Sequence, residues 1–253
     1  VNSEKGVHRK TDWRWLAMGV LALLFVSWSL AWGVADIAAF RARVWVEAWS
    51  HQVQQAAVKG QAYDPDPDDW EAARAAGERA VRLAPLSADY REGLARVYAS
   101  RYLSTADGAA IALPFQEQAL QQYRESIRLR PTWPYSYIAL AQTLSRMNRF
   151  DAEFDRSLHM AIHYGPWEPA IMLAMTDMAL DDVPRLSPEA RQLVLDTLRR
   201  GQAWTSDASG NTVPYGDQIW ARVAARHQQM VICSWLSMSD HQIRARCSPA
   251  GWK

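Results

Sequence analysis

Apolar positions recur along this chain at intervals of three and four, and the clearest run lies in residues 131–180. There Tyr137, Leu140, Ala141 and Leu144 mark one helix face. Phe154, Leu158 and Ala161 mark a second, and Pro166 closes the pair. Large residues on the first helix, small ones where the second crosses it and a closing proline make up the spacing of a tetratricopeptide repeat, counted from Pro134 with a one-residue slip near Asn148. Neither helix can bury its stripe alone, so the spacing predicts stacked helical hairpins.

The second-helix pattern recurs upstream as Ala73, Gly77, Ala80 and Pro85, and again as Ala119, Tyr123, Ser126 and Pro131. Only the later pair of prolines approaches the period of about 34 residues, so residues 104–114, around Gly108, read as an inserted loop with helix resuming at Phe115. Residues 70–83 form a helix with Asp68 as N-cap and Glu71 completing a capping box. Ser87 or Asp89 starts the next, through Tyr90, Leu94, Val97 and Tyr98. After Pro166 a helix through Met172, Met175 and Ala179 ends at Asp181 and Asp182. Ser187 then caps a helix with Pro188 in its first turn, and Gly201 stops it after Arg200. A polar loop over 205–216 leads to an amphipathic helix over 217–230, with Ile219, Trp220, Val223 and Ala224 on one face. The tail from Cys233 would cap the open end.

Near the N-terminus the periodicity gives way to a continuous apolar run. Residues 15–35 carry no charge between Arg14 and Asp36, and about 20 helical residues cross a bilayer's hydrocarbon core. Lys5, Arg9, Lys10 and Arg14 precede the run, whereas Arg41 and Arg43 beyond it are offset by Asp36 and Glu47. This asymmetry favours a cytoplasmic N-terminus. Trp13, Trp15, Trp28 and Trp32 suit the interfacial belts. An uncleaved anchor is the first reading; a signal peptide cleaved after the small residues Gly33 and Ala35, and a buried soluble helix, are the alternatives. Beyond the run, Ile37, Phe40, Val44 and Ala48 continue a helical stripe, either on the same helix or after a bend. Pro65 and Pro67 then break it.

The expected architecture is all-α, with one N-terminal transmembrane helix followed by a tetratricopeptide-like helical-repeat solenoid. Residues 1–14 are the cytoplasmic N-terminus and 15–35 the transmembrane helix. Residues 36–69 are a juxtamembrane helix and acidic, proline-containing linker, 70–200 the repeat domain and 201–253 a helical extension or cap.

Composition narrows the chemistry. With 28 basic against 27 acidic residues, no nucleic-acid partner is expected. Cys233 and Cys247 are too few for a disulfide framework or a zinc site, though they suffice for one bridge in an oxidising compartment. The chain holds 13 tryptophans, a residue suited to surfaces that are apolar on one side and wet on the other. His159 and His163 lie one helical turn apart without a third ligand, so no metal is expected. Glu153 and Asp155 read as a solvated helix face. The acidic run at 63–69 lacks the glycine and terminal glutamate of a calcium loop. With no phosphate loop, serine elbow or Cys/His nucleophile context, no catalytic residue and no cofactor is expected.

Several segments carry a family resemblance: Arg130-Pro131, Trp133-Pro134-Tyr135, the run from Arg149 to Phe154, and Gly165-Pro166-Trp167-Glu168-Pro169. With Ala31-Trp32-Gly33 and Ala35-Asp36, this chain resembles the VpsP-like family of bacterial exopolysaccharide-biosynthesis proteins. The resemblance implies a membrane helix joined to a tetratricopeptide-like domain, and a role in polysaccharide synthesis or export. It supplies no catalytic residues.

By the repeat template, first helices line a concave groove, to which Glu92, Arg96, Tyr135, Gln142, Arg146, Asp177 and Asp181 contribute. The alternative for Arg146 and Asp177 is a mutual ion pair between neighbouring helices. The groove and the resemblance together lead to a scaffold or adaptor in the inner membrane, single-pass, with its main domain in the periplasm. Its partners would be polysaccharide synthesis or export proteins, with membrane lipid around the one helix. The alternative is a polysaccharide-binding or chain-processing subunit in which Trp133, Tyr135 and Trp167 stack on sugar rings.

Overall fold

A computed structural model describes residues 13–59, 61–101, 106–203, 215–235 and 247. Among the described residues the chain is all-helical. Helix α1 (Trp13–Val58) runs 46 residues without a break, about 70 Å at the α-helical rise. It is the one described helix long and apolar enough to cross a membrane. Its first half exposes Leu16, Leu21, Leu24 and Phe25. From Ala35 onward one side is buried, through Ala35, Ala38, Ala42 and Trp49. The stripe noted in the sequence, Ile37, Phe40, Val44 and Ala48, is exposed. The alanine side lets a neighbouring helix approach closely, which the bulkier side would prevent.

That neighbour is α2 (Pro67–Leu83), which packs on α1 and then on α3 (Ala88–Ala99). Its N-cap is Asp66, whose carboxylate accepts from the backbone N–H groups of Asp68 and Asp69. This corrects the expected Asp68 cap: Pro67 has its φ already set and no N–H to lose, so the helix starts at the proline. Glu71 bonds Arg74 instead of completing a capping box. Ser87 caps α3, accepting from Tyr90 N–H.

Helix α4 (Ala106–Leu129) also starts earlier than expected and holds Pro114 inside it; Ser104 and Thr105 lie outside the described residues. The inserted loop is therefore helical from Ala106. Ala112, Gln116, Ala119, Leu120 and Tyr123 form one buried stripe running past the proline, and that packing outweighs the single hydrogen bond Pro114 forfeits.

The hairpin of α5 (Pro134–Arg146) and α6 (Ala152–Tyr164) buries the whole stripe read from the sequence, from Tyr137 to Ala161. Burying a Leu or Phe side chain contributes about 1.5–3 kcal/mol, so this hairpin is a major part of the core. The slip at Asn148 is a left-handed residue, φ 57°, a conformation asparagine tolerates. Asp151 caps α6 through Glu153 and Phe154 N–H. Arg124 of α4 grips Glu153 with two 2.7 Å bonds and holds its carboxyl below the usual glutamate range. That contact is complete above the ordinary pKa and is lost as pH falls through the lowered one.

Helix α7 (Pro169–Asp181), a 3-10 turn at Val183–Arg185 and α8 (Pro188–Ala203) follow, with Ser187 accepting from Ala190 N–H. Helix α8 passes through Gly201 rather than stopping there. The glycine lies against Ile219 of α9 (Tyr215–Ala225), whose Cδ1 a Cβ would strike. Its role is close approach, not termination. The single helix expected over 217–230 is broken after Ala225, with His227 left-handed at φ 54°, and resumes as α10 (Gln229–Trp235). Cys233 and Cys247 are joined in a disulfide. Most of the expected polar loop, residues 205–214, lies outside the described residues, as does most of the tail.

Consecutive helices pack in chain order from α1 to α10, and α1–α3, α5–α7, α6–α8 and α7–α9 also touch. Gly165, at the α6–α7 turn, sits where a Cβ would come 2.9 Å from the Pro134 ring. Because that ring cannot rotate away, Gly165→Ala is expected to cost about 1–3 kcal/mol, read as a lower denaturant midpoint at unchanged m-value.

Candidate functional site

The continuation of α1 past the apolar run places its polar side opposite α3, and a cavity of about 490 Å³ opens between them. Asp36, Phe40 and Arg43 line it from α1, Tyr90, Glu92 and Arg96 from α3, and Arg130 and Trp133 from the α4–α5 turn. Helical spacing accounts for the grouping, since 36, 40 and 43 share a face of α1, as 92 and 96 share one of α3.

Glu92 anchors the cavity. It is only 6% exposed, and its carboxylate accepts from Arg96 Nη2 at 2.5 Å and from Ser136 Oγ at 2.8 Å. Arg130 Nη2 lies 3.6 Å from the same carboxylate and 2.9 Å from Asp89. A buried carboxylate held by two arginines and a hydroxyl has its charge compensated, which burial requires. Toward the apolar run, Tyr90 donates its hydroxyl to Asp36 at 2.9 Å, and its ring lies 6.1 Å from that of Trp32. Burial, then the bond to Asp36, pushes the Tyr90 phenol up to about 12, so it stays a donor at physiological pH.

Two donors at the cavity are not matched. Arg130 Nε and Trp133 Nε1 are buried atoms with no hydrogen-bond partner, although the Arg130 guanidinium lies over the Trp133 ring at 4.0 Å. An unmet buried donor costs about 1–3 kcal/mol. Both atoms are covered by surrounding side chains, and the exposed cations that line the cavity are Arg43 and Arg96, which suit an incoming group with acceptor atoms.

The expected groove residues fall in separate places. Glu92 and Arg96 line the cavity. Tyr135 stands beside Trp133, ring centroids 5.0 Å apart, and donates to Glu168 at 2.6 Å. Gln142 is half-buried on α5 and Arg146 is exposed, with Nη2 donating to Thr143 Oγ1. Asp177 accepts from Arg222 and pairs with Arg226, which also bonds Asp181. These two aspartates thus tie α7 to α9 and to the turn that follows it. Of the aromatic trio, Trp133 has Arg130 over its face and Trp167 is 52% exposed. His159 and His163 stack along α6 at 6.2 Å, and the described residues hold no metal-ligand cluster.

Asp36, Arg43 and Arg130 were not foreseen as site residues. The usable signal was the absence of any breaker between 35 and 58, which makes the far half of α1 the first helix of a hairpin and aims Asp36 and Arg43 at α3. Glu92→Ala is expected to lower stability by about 2 kcal/mol, by removing the buried acceptor that Arg96, Ser136 and Arg130 share. Arg96→Ala, at a half-exposed position, should cost under about 1 kcal/mol. Urea denaturation of both variants measures the difference.

A scan of family models and a search of curated proteins return no match to this chain.

Proposed function

We propose that this protein is a membrane-anchored scaffold or adaptor for an exopolysaccharide synthesis or export complex, performing no chemistry itself. In this reading α1 is a single-pass inner-membrane anchor with a cytoplasmic N-terminus. The helices beyond it form a periplasmic tetratricopeptide-like solenoid whose groove takes a protein partner. The observation that carries the reading is the cavity built on α1 itself, lined by the exposed cations Arg43 and Arg96. A partner segment seated there supplies acceptors and is held against the helix that continues toward the membrane. The pairwise packing of neighbouring helices supports the repeat architecture. The Cys233–Cys247 bridge supports placement outside the cytoplasm, because disulfides persist in oxidising compartments. The tie to polysaccharide rests on the family resemblance in the sequence.

The alternative, a polysaccharide-binding or chain-processing subunit, draws on exposed Trp167. It requires glycan to quench tryptophan fluorescence. For the scaffold, affinity purification of tagged protein from solubilised membranes is expected to bring down inner-membrane polysaccharide synthesis or export proteins. Arg43→Glu combined with Arg96→Glu should reduce their recovery about tenfold or more, as expected when charges meeting a partner are reversed. Full recovery with that double variant would remove the cavity as the partner site.

A further inference from the structure

Beside the cavity, with Phe40 lining both, α1 and α2 leave a second recess, a trough of about 810 Å³. Its apolar side is the stripe that the fold left outward: Ile37, Phe40 and Val44 are 60%, 56% and 45% exposed, and Val34 lies at the end nearest the apolar run. Ala72, Ala75 and Ala76 of α2 form the other wall with no bulk to fill it. Arg41 and Arg79 line the same trough, one from each helix, and both are exposed. None of its lining residues is acidic.

We propose that this trough docks one anionic phospholipid, with the phosphate between Arg41 and Arg79 and the glycerol and upper acyl region against Val34 and Ile37. The proposal rests on α1 crossing the membrane. Arg41 is two helical turns past Val34, about 10 Å along the axis. The polar layer of a bilayer leaf is roughly 5–8 Å deep, and an arginine stem can reach back over that difference. The trough thus lies level with lipid phosphates, and its two cations select negative headgroups. A second copy of this chain is a poor occupant, because a self-complementary contact would turn arginine-lined faces without acids toward each other.

The test uses the full chain, purified in detergent and titrated with dioleoyl phosphatidylglycerol or dioleoyl phosphatidylcholine, with bound lipid counted by native mass spectrometry. At about fivefold per arginine near a phosphate, phosphatidylglycerol is expected to bind on the order of 25-fold more tightly. Arg41→Ala with Arg79→Ala should abolish the preference while helical circular dichroism is unchanged. Arg41→Lys with Arg79→Lys should retain most of it, and Arg82→Ala, elsewhere on α2, all of it. Equal binding of the two lipids, or a preference surviving the double alanine variant, overturns the proposal, a partner-protein helix then being the better occupant. Alkaline extraction of membranes carrying the protein separates the underlying assumption: release into the aqueous phase would overturn the membrane reading of α1 and the lipid site with it. Retention with no lipid preference would overturn the lipid site alone.

Discussion

A helix that meets two different surroundings along its length must change its surface without changing its backbone. In α1 the change comes at Ala35, where a helix exposed and apolar around its circumference becomes one with a small-residue face packed against α2 and α3. Ala35, Ala38 and Ala42 matter for what they lack: without bulk, they let the neighbouring helices close on α1. Trp49 and Trp70 then add large buried surface to the seam and the core beside it. The Tyr90–Asp36 bond secures the end of the seam nearest the apolar run. Everything beyond is positioned from this join, because each later helix packs on one already placed.

The same join creates both recesses. A continuous α1 brings Asp36 and Arg43 over α3 on one side and leaves Ile37 and Val44 uncovered on the other, with Phe40 between them. The two sides differ in chemistry. The cavity balances carboxylates and guanidiniums around buried Glu92, whereas the trough is apolar with cations alone. Farther along, the charged groups serve cohesion: Arg124 with Glu153, and Asp177 and Asp181 with Arg222 and Arg226, tie together helices distant in sequence.

The α5–α6 hairpin was legible almost residue by residue, because its apolar stripe, its cap at Asp151 and its closing proline all point the same way. Ser87 and Ser187 were legible as caps for the same reason. Failures came where a local breaker signal met a tertiary demand. Pro114 lies inside α4 because the buried stripe runs past it, and Gly201 continues α8 because Ile219 needs the space. On α1 the helical period was legible, but the bulky residues that mark it lie on the exposed face, and the packed face is the alanine side. Bulk marks hydrophobicity in a sequence, while close helix approach selects alanine. The template grouped Glu92 and Arg96, which line the cavity, with Asp177 and Asp181, which do not, since a sequence does not reveal that α9 folds back to cover α7. The disulfide was open in the sequence, as two cysteines fix a possible pair but not its geometry.

The account depends most on α1 being one rigid rod from its apolar half into the packed half. Spin labels at Ser29→Cys and Ser50→Cys, both at exposed positions, with the native disulfide kept oxidised and the protein in lipid nanodiscs, measure this directly. An unbroken helix predicts a single narrow distance distribution centred near 31 Å, from about 1.5 Å per residue. A broad distribution, or one centred well below that value, would show a hinge at the join and contradict the account.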